Sequence, residues 1–106
     1  MDSKQGENKM AITKTITEDK IEIVGEYKNI QVRTATVIKE DGVELTRSFH
    51  RHVVECVNTV KNADDSFTHT DTEISGESTE VQAIANAVWT DAVKAAKKSA
   101  NEANML

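Results

Sequence analysis

The chain has 106 residues, of which only 38% are hydrophobic, and this limits it to one domain with a modest core. Its net charge of -5 is concentrated in residues 55–80, where seven acidic side chains and one lysine would repel nucleic-acid phosphates. The single cysteine rules out an intrachain disulfide, and no apolar run reaches the length of a membrane span. We therefore expect a soluble, intracellular protein that has neither a nucleic-acid nor a membrane partner.

The N-terminal part of the chain changes from polar to β-branched residues. Residues 1–9 are polar, and apolar residues do not recur among them at the spacing of a helix or a strand, so we predict a flexible N-terminal arm there. Residues 10–106 are predicted to form a single α+β domain. β-branched residues at 12–17 predict a first strand, and residues 21–24 predict a second short strand. The polar stretch 18–20 between them is expected to turn the chain.

A β-hairpin closed by Asp41-Gly42 is the strongest local signal in the sequence. A type I′ turn needs a positive φ at both central residues, which Asp tolerates and Gly adopts freely. With this two-residue loop, one face of the hairpin is apolar and the other is polar. The predicted apolar face contains Ile30, Val32, Ile38, Leu45, Phe49 and Val53, and the polar face contains Gln31, Arg33, Lys39, Glu44, His50 and His52. A three-residue loop would instead set Arg33 opposite Phe49, and we prefer the two-residue loop because it separates the two faces.

Two arginines do not fit this separation. Arg47 and Arg51 fall on the predicted apolar face of the hairpin. Either they lie near its edge with their stems covering apolar surface, or they mark where another element or subunit supplies carboxylates. Both are therefore candidate interaction residues.

Residues 57–78 are rich in Asn, Asp, Ser and Thr, and they predict a long loop with a short extended piece at 67–74. Phe67 is one of its few apolar anchors. Loops of this length tend to be functional or mobile, so a partner could use this one. Phe67 is therefore a third candidate interaction residue.

Helical periodicity begins at Thr79, which forms a capping-box pattern with Gln82. Small and β-branched residues recur at spacings of three and four, and this apolar stripe is predicted to cover the hydrophobic face of the sheet. Residues 99–106 are polar and are expected to fray. The sequence thus predicts an α+β domain in which an antiparallel meander of about four strands carries one C-terminal α-helix on one face.

The only tryptophan, Trp89, lies at the flank of this helical stripe. Either it packs on the sheet, or it is an exposed anchor at a subunit contact, where tryptophan is enriched. Trp89 is therefore the fourth candidate interaction residue.

No combination of side chains predicts catalysis. His50 and His52 share one strand face, but no third metal ligand stands at a recognised spacing. Residues 71–77 resemble the start of a calcium loop, but the twelfth position is Gln82 rather than a bidentate Glu. Cys56 has only His52 as a nearby base, so we interpret it as a small buried side chain. We predict no catalytic residues, no metal and no cofactor.

Two stretches resemble a known group of proteins. Residues 48–53 (Ser-Phe-His-Arg-His-Val) and residues 80–90, together with the start at Met10 and the turn at 39–42, resemble small proteins encoded by tailed bacteriophages, particularly marine ones. The resemblance covers residues 10–96. It implies a phage protein from the virion or tail region, but it implies no biochemical activity and no functional residues.

The expected function is therefore that of a phage virion or tail structural or accessory protein, which acts through protein–protein contacts and not as an enzyme. Its partners would be other phage structural proteins or further copies of itself in a homo-oligomer. It would be located in the virion, and in the host cytoplasm during assembly. The alternative is a phage-encoded regulator that binds a host protein through its acidic segment 55–80.

Overall fold

The computed structural model describes residues 11–106, so the predicted arm at residues 1–9 lies outside the described part of the chain. Its elements are β1 (Ile12–Val24), β2 (Asn29–Glu40), β3 (Val43–Val54), β4 (Val57–Lys61), β5 (Phe67–Asp71), α1 (Thr79–Val88) and α2 (Asp91–Asn104). The first three strands form an antiparallel sheet in the order β1-β2-β3, and β4 pairs with β5 in a second sheet. The α+β class is confirmed, but residues 11–106 contain two sheets and two helices instead of one meander and one helix.

The described chain divides into two compact units. The sheet unit contains residues 11–20 and Val32–His52, and the helical unit contains Ile21–Gln31 and Val53–Leu106. The buried apolar side chains of the sheet unit are Val32 and Ala35. Those of the helical unit are Ile30, Val54, Cys56, Val57, Val81, Ala85 and Trp89. Most of the buried apolar side chains therefore belong to the helical unit.

The predicted turn at Asp41-Gly42 is confirmed. Strand β2 ends at Glu40 and β3 begins at Val43, and the two residues between them have φ angles of 52° and 83°. These are the positive values that a type I′ turn requires. Asp41 also contacts the start of β1, since its backbone N–H donates to the Ala11 carbonyl and its carboxylate accepts from the Ala11 N–H.

The predicted break at residues 18–20 is wrong, because β1 continues through them as one 13-residue strand. The Asp19 carboxylate accepts two hydrogen bonds from the Arg33 guanidinium of β2, and this cross-strand pair favours the extended strand. The chain turns later, where Gly25 and Lys28 have φ angles of 79° and 53°.

The predicted separation of the two hairpin faces is also wrong. Strict alternation from the Asp41-Gly42 turn would place Arg33 and Phe49 on opposite faces, but the Arg33 guanidinium carbon lies 4.4 Å from the centroid of the Phe49 ring. Glu44 and Arg47 should also lie on opposite faces, yet their side chains are hydrogen-bonded. The alternation is therefore interrupted within residues 44–49, as it is at a β-bulge.

Residues 57–78 contain a second hairpin instead of one long loop. β4 and β5 pair antiparallel from Val57↔Asp71 to Lys61↔Phe67. In the connection, the Asp64 carboxylate accepts from the Ser66 N–H at 3.1 Å, and Asp65 has a φ of 68°. A side-chain bond to the backbone two residues on and a tolerated positive φ are the turn-forming functions of Asp, and they explain why this polar stretch closes a hairpin.

The C-terminal region forms two helices. The N-cap of α1 is Ser78 rather than Thr79, and its hydroxyl accepts from the Val81 N–H at 3.2 Å. The helical path is interrupted at Trp89, and Thr90 caps α2 by accepting from the Val93 N–H. Residues 99–104, which we expected to fray, belong to α2.

The predicted burial of the hairpin's apolar face under the helix is wrong in the sheet unit. Leu45 and Phe49 are 57% and 45% exposed. Neither of these two side chains is buried. In α1, the stripe residues Val81 and Ala85 are buried within the helical unit.

Candidate functional site

Five large apolar side chains of the described sheet unit are exposed, and all of them lie on its two outer strands. They are Ile12 and Ile16 on β1 and Val43, Leu45 and Phe49 on β3. Outer strands have unpaired backbone donors and acceptors along one side, and natural proteins usually protect such edges. Within residues 11–106, these strands therefore present large apolar side chains along the two edges of the sheet.

Arg33 connects the two outer strands across the sheet. Its Nε and Nη2 donate to the two carboxylate oxygens of Asp19 on β1 at 3.0 and 2.7 Å. On the other side, its guanidinium lies over the Phe49 ring of β3. The hydrogen bonds from Arg33 hold the pKa of the Asp19 carboxyl below its ordinary value. This contact fixes one side of Phe49 while the residue remains substantially exposed.

A second bidentate pair lies near the turn. Arg47 Nη2 and Nε donate to the Glu44 carboxylate at 2.8 and 3.1 Å. The pair raises the pKa of Arg47 and lowers the pKa of Glu44, in each case mainly through the side-chain hydrogen bonds. Of the two alternatives for Arg47, a carboxylate from another element or subunit is not needed, because Glu44 of the same strand supplies one.

A shallow groove of about 240 Å³ lies on the sheet unit. Its lining consists of four short side chains and three charged ones. The short ones are Thr15, Thr17, Ala35 and Val37, and the charged ones are Asp19, Lys39 and Arg47. This volume is below the range of typical small-molecule pockets, and both signs of charge are present. The groove therefore suits side chains of another protein better than it suits a small ligand.

The four predicted interaction residues are divided between the two units. Arg47 and Arg51 are exposed on β3, in the sheet unit. Phe67 is half-buried at the start of β5, where it pairs with Lys61. Trp89 is only 9% exposed, and its indole Nε1–H donates to the Lys28 carbonyl at 2.8 Å. Trp89 is therefore packed within the helical unit rather than exposed, and the structure does not collect the four residues into one site.

The histidines and the cysteine are the side chains that the sequence offers for metal binding or nucleophilic chemistry. His50 and His52 share a face with their ring centroids 6.4 Å apart. Across residues 11–106, no group of three His, Cys, Asp or Glu side chains could hold a metal ion. Cys56 is buried, and this burial raises the pKa of its thiol.

A polar cluster on the helical unit could not be predicted from the sequence. His69 of β5 lies between Thr59 of β4 and Glu102 of α2, with Nδ1 2.8 Å from the hydroxyl and Nε2 2.6 Å from the carboxylate. Asn101 donates to the same Thr59 hydroxyl at 3.0 Å. Thr59 and His69 face each other only because of the β4–β5 register, and that hairpin was predicted as a loop. The cluster joins α2 to the second sheet.

Within residues 11–106, no helix is long and apolar enough to cross a membrane. Comparison with protein-family models, with curated proteins and with solved structures finds no match to the chain. The case for a function therefore depends on the geometry of the chain itself.

Proposed function

We propose that the protein works through protein–protein contacts made by the outer strands β1 and β3, as a structural or accessory component of a tailed-phage virion and not as an enzyme. The observation that carries this proposal is the exposure of large apolar side chains on both outer strands of the sheet unit. An exposed strand edge of this kind is a template for pairing with another chain.

The side chains around these strands fit the same interpretation. Leu45 and Phe49 supply apolar area on β3, and Arg33 and Arg47 are already oriented by carboxylates. Aromatic and arginine side chains are enriched in interfaces, and preorganised arginines lose less freedom on binding. The phage setting is supported by the resemblance of residues 10–96.

The alternative regulator, which would bind a host protein through residues 55–80, has weaker support. Several acidic side chains of this segment already face lysines of the same chain. Glu55 lies 3.3 Å from Lys97, and Asp71 lies 3.2 Å from Lys94. A surface that mimics a polyanion would present such carboxylates unpaired.

Light scattering over a concentration series tests the proposal, with a matched pair of variants. Leu45→Lys places a charge on β3, whereas Val60→Lys makes the same change at a similarly exposed position (60%) on β4. We expect the wild type and V60K to associate as concentration rises, and L45K to remain monomeric because an inserted lysine blocks edge pairing.

Mass spectrometry of purified virions supplies the second measurement, and we expect the protein to be present in them. A chain that stays strictly monomeric at high concentration and is missing from purified virions would contradict the proposal. Equal effects of L45K and V60K would show that β3 is not the contact surface.

A further inference from the structure

The second helix, α2, is attached to the rest of the helical unit differently from the first. Helix α1 buries Val81 and Ala85, whereas none of the 14 residues of α2 is buried. Five of these residues are alanines, which have the highest helix propensity. The composition of α2 therefore favours a helix, but the helix contributes little apolar area to its own attachment.

Charged and polar side chains attach α2 instead. The contacts are Lys94 Nζ to Asp71 Oδ2 at 3.2 Å, Lys97 Nζ to Glu55 Oε1 at 3.3 Å, Glu102 Oε2 to His69 Nε2 at 2.6 Å, and Asn101 Nδ2 to Thr59 Oγ1 at 3.0 Å. Three of these four contacts join groups of opposite charge, with His69 charged only when protonated. The three carboxylates are between 44% and 63% exposed, so water and salt can reach each pair.

The junction between the helices resembles a hinge. Trp89 and Thr90 leave the helical region, with φ and ψ of -87° and 72° at Trp89 and of -74° and 166° at Thr90. The bond from the Trp89 indole to the Lys28 carbonyl anchors the end of α1. The Thr90 hydroxyl accepts from the Val93 N–H in the first turn of α2, so this cap moves with α2. A rotation at this junction would release α2 without breaking either helix.

The surface next to α2 contains the start of β4. Helix α2 contacts β4, and the side-chain amide of Asn101 reaches the Val57 carbonyl. Lys97 of α2 pairs with Glu55, the residue that precedes Cys56, so α2 lies close to this part of the backbone as well. Cys56 and Val57 are 0% and 1% exposed.

We propose that α2 is a strap that opens at Trp89–Thr90 when its charge pairs are weakened, and that its opening uncovers Cys56 and Val57. Opening of this kind is a local event that requires less free energy than unfolding of the chain. Opening of α2 would make the exposure of Cys56 and Val57 in the helical unit depend on ionic strength. This property is separate from the contacts proposed for β1 and β3.

The rate at which Cys56 reacts with Ellman's reagent (DTNB) tests the strap, because Cys56 is the only cysteine in the chain. In the full-length protein, raising NaCl from low to molar concentration should increase the labelling rate, since screening weakens ion pairs. The logarithm of this rate should depend only weakly on urea, because opening α2 exposes far less surface than unfolding does.

Lys97→Gln and Lys98→Gln form a matched pair, with the same loss of charge at adjacent positions of α2. K97Q removes the pair with Glu55 and also the ammonium group that lies 5.5 Å from the centroid of the Tyr27 ring. We expect about two- to fivefold faster labelling from the loss of these contacts. K98Q should label at the wild-type rate. Asp71→Asn, which removes the partner of Lys94 from outside the helix, should also accelerate labelling.

Three results would overturn the strap. One is a labelling rate that salt leaves unchanged or lowers. Another is equal labelling of K97Q and K98Q. The third is a urea dependence as steep as that of global unfolding, since Cys56 would then be reached only in the unfolded chain.

Discussion

Replacing Ile30 by Val measures how much the buried end of β2 contributes to stability. Ile30 has no exposed surface, so the substitution removes one buried methylene without changing β-branching or strand preference. A buried methylene contributes about 0.8 kcal/mol, and Ile→Val changes in cores typically cost about 0.5–1.5 kcal/mol. For a chain of this size we therefore expect a loss of about 1 kcal/mol and a fall in Tm of about 4–8 °C.

The matched control is Ile16→Val, which makes the same change on β1 at a side chain that is 63% exposed. Its cost in the monomer should stay below about 0.5 kcal/mol. Urea unfolding followed by far-UV circular dichroism suits the measurement, because this signal reports on both the sheet unit with Ile16 and the helical unit with Ile30. Equal costs for I30V and I16V in dilute protein would refute the reasoning, since β1 would then be buried and could not serve as a free contact surface.

Three further changes test the turn, the central arginine and the helix cap. Gly42→Ala should destabilise by roughly 1–2 kcal/mol in thermal unfolding, because Gly42 has a φ of 83° that a side chain disfavours. Arg33→Gln should raise the pKa of Asp19 toward its ordinary value in an NMR titration of the carboxyl groups. Because folding lowers the pKa of Asp19, the ionised carboxylate contributes stability above a pH of about 4. This contribution is lost as the pH falls through the folded-state pKa, so R33Q should weaken the dependence of stability on pH in this range. Ser78→Ala should cost about 1 kcal/mol and Thr79→Ala clearly less, since the Ser78 hydroxyl is the one that caps α1.

Local backbone chemistry could be predicted from the sequence, whereas interactions between elements could not. The Asp41-Gly42 turn was predicted because its requirement for positive φ is a property of the two residues themselves. The contact of Arg33 with Phe49 was missed because one interruption in β3 reverses every face beyond it, and nothing in the local pattern marks that position.

In the C-terminal region, too, the sequence predicted helix formation but not how the elements are divided and paired. The apolar stripe continues across Trp89 with the period of a single helix, so the break between α1 and α2 was not predicted. Thr90-Asp91 is an N-cap signal that could have revealed it. The β4–β5 hairpin was missed because its strands have only five residues each, and the Asn, Asp, Ser and Gly residues between and after them are typical of a loop.

The small core of the sheet unit leads to a last prediction. Three-stranded sheets need a covered hydrophobic face for stability, yet in the described part of this unit Val32 and Ala35 are the buried apolar side chains, while Leu45 and Phe49 on β3 are exposed. Association should therefore stabilise this unit more than the helical unit, and hydrogen exchange at low and high protein concentration measures the difference. We expect the amides of β1 and β3 to become protected as concentration rises and those of β4 and β5 to change little, because only the former would gain partners from another chain. Equal protection of all four strands would mean that association does not act through β1 and β3, and the outer strands would then need another explanation for their exposed side chains.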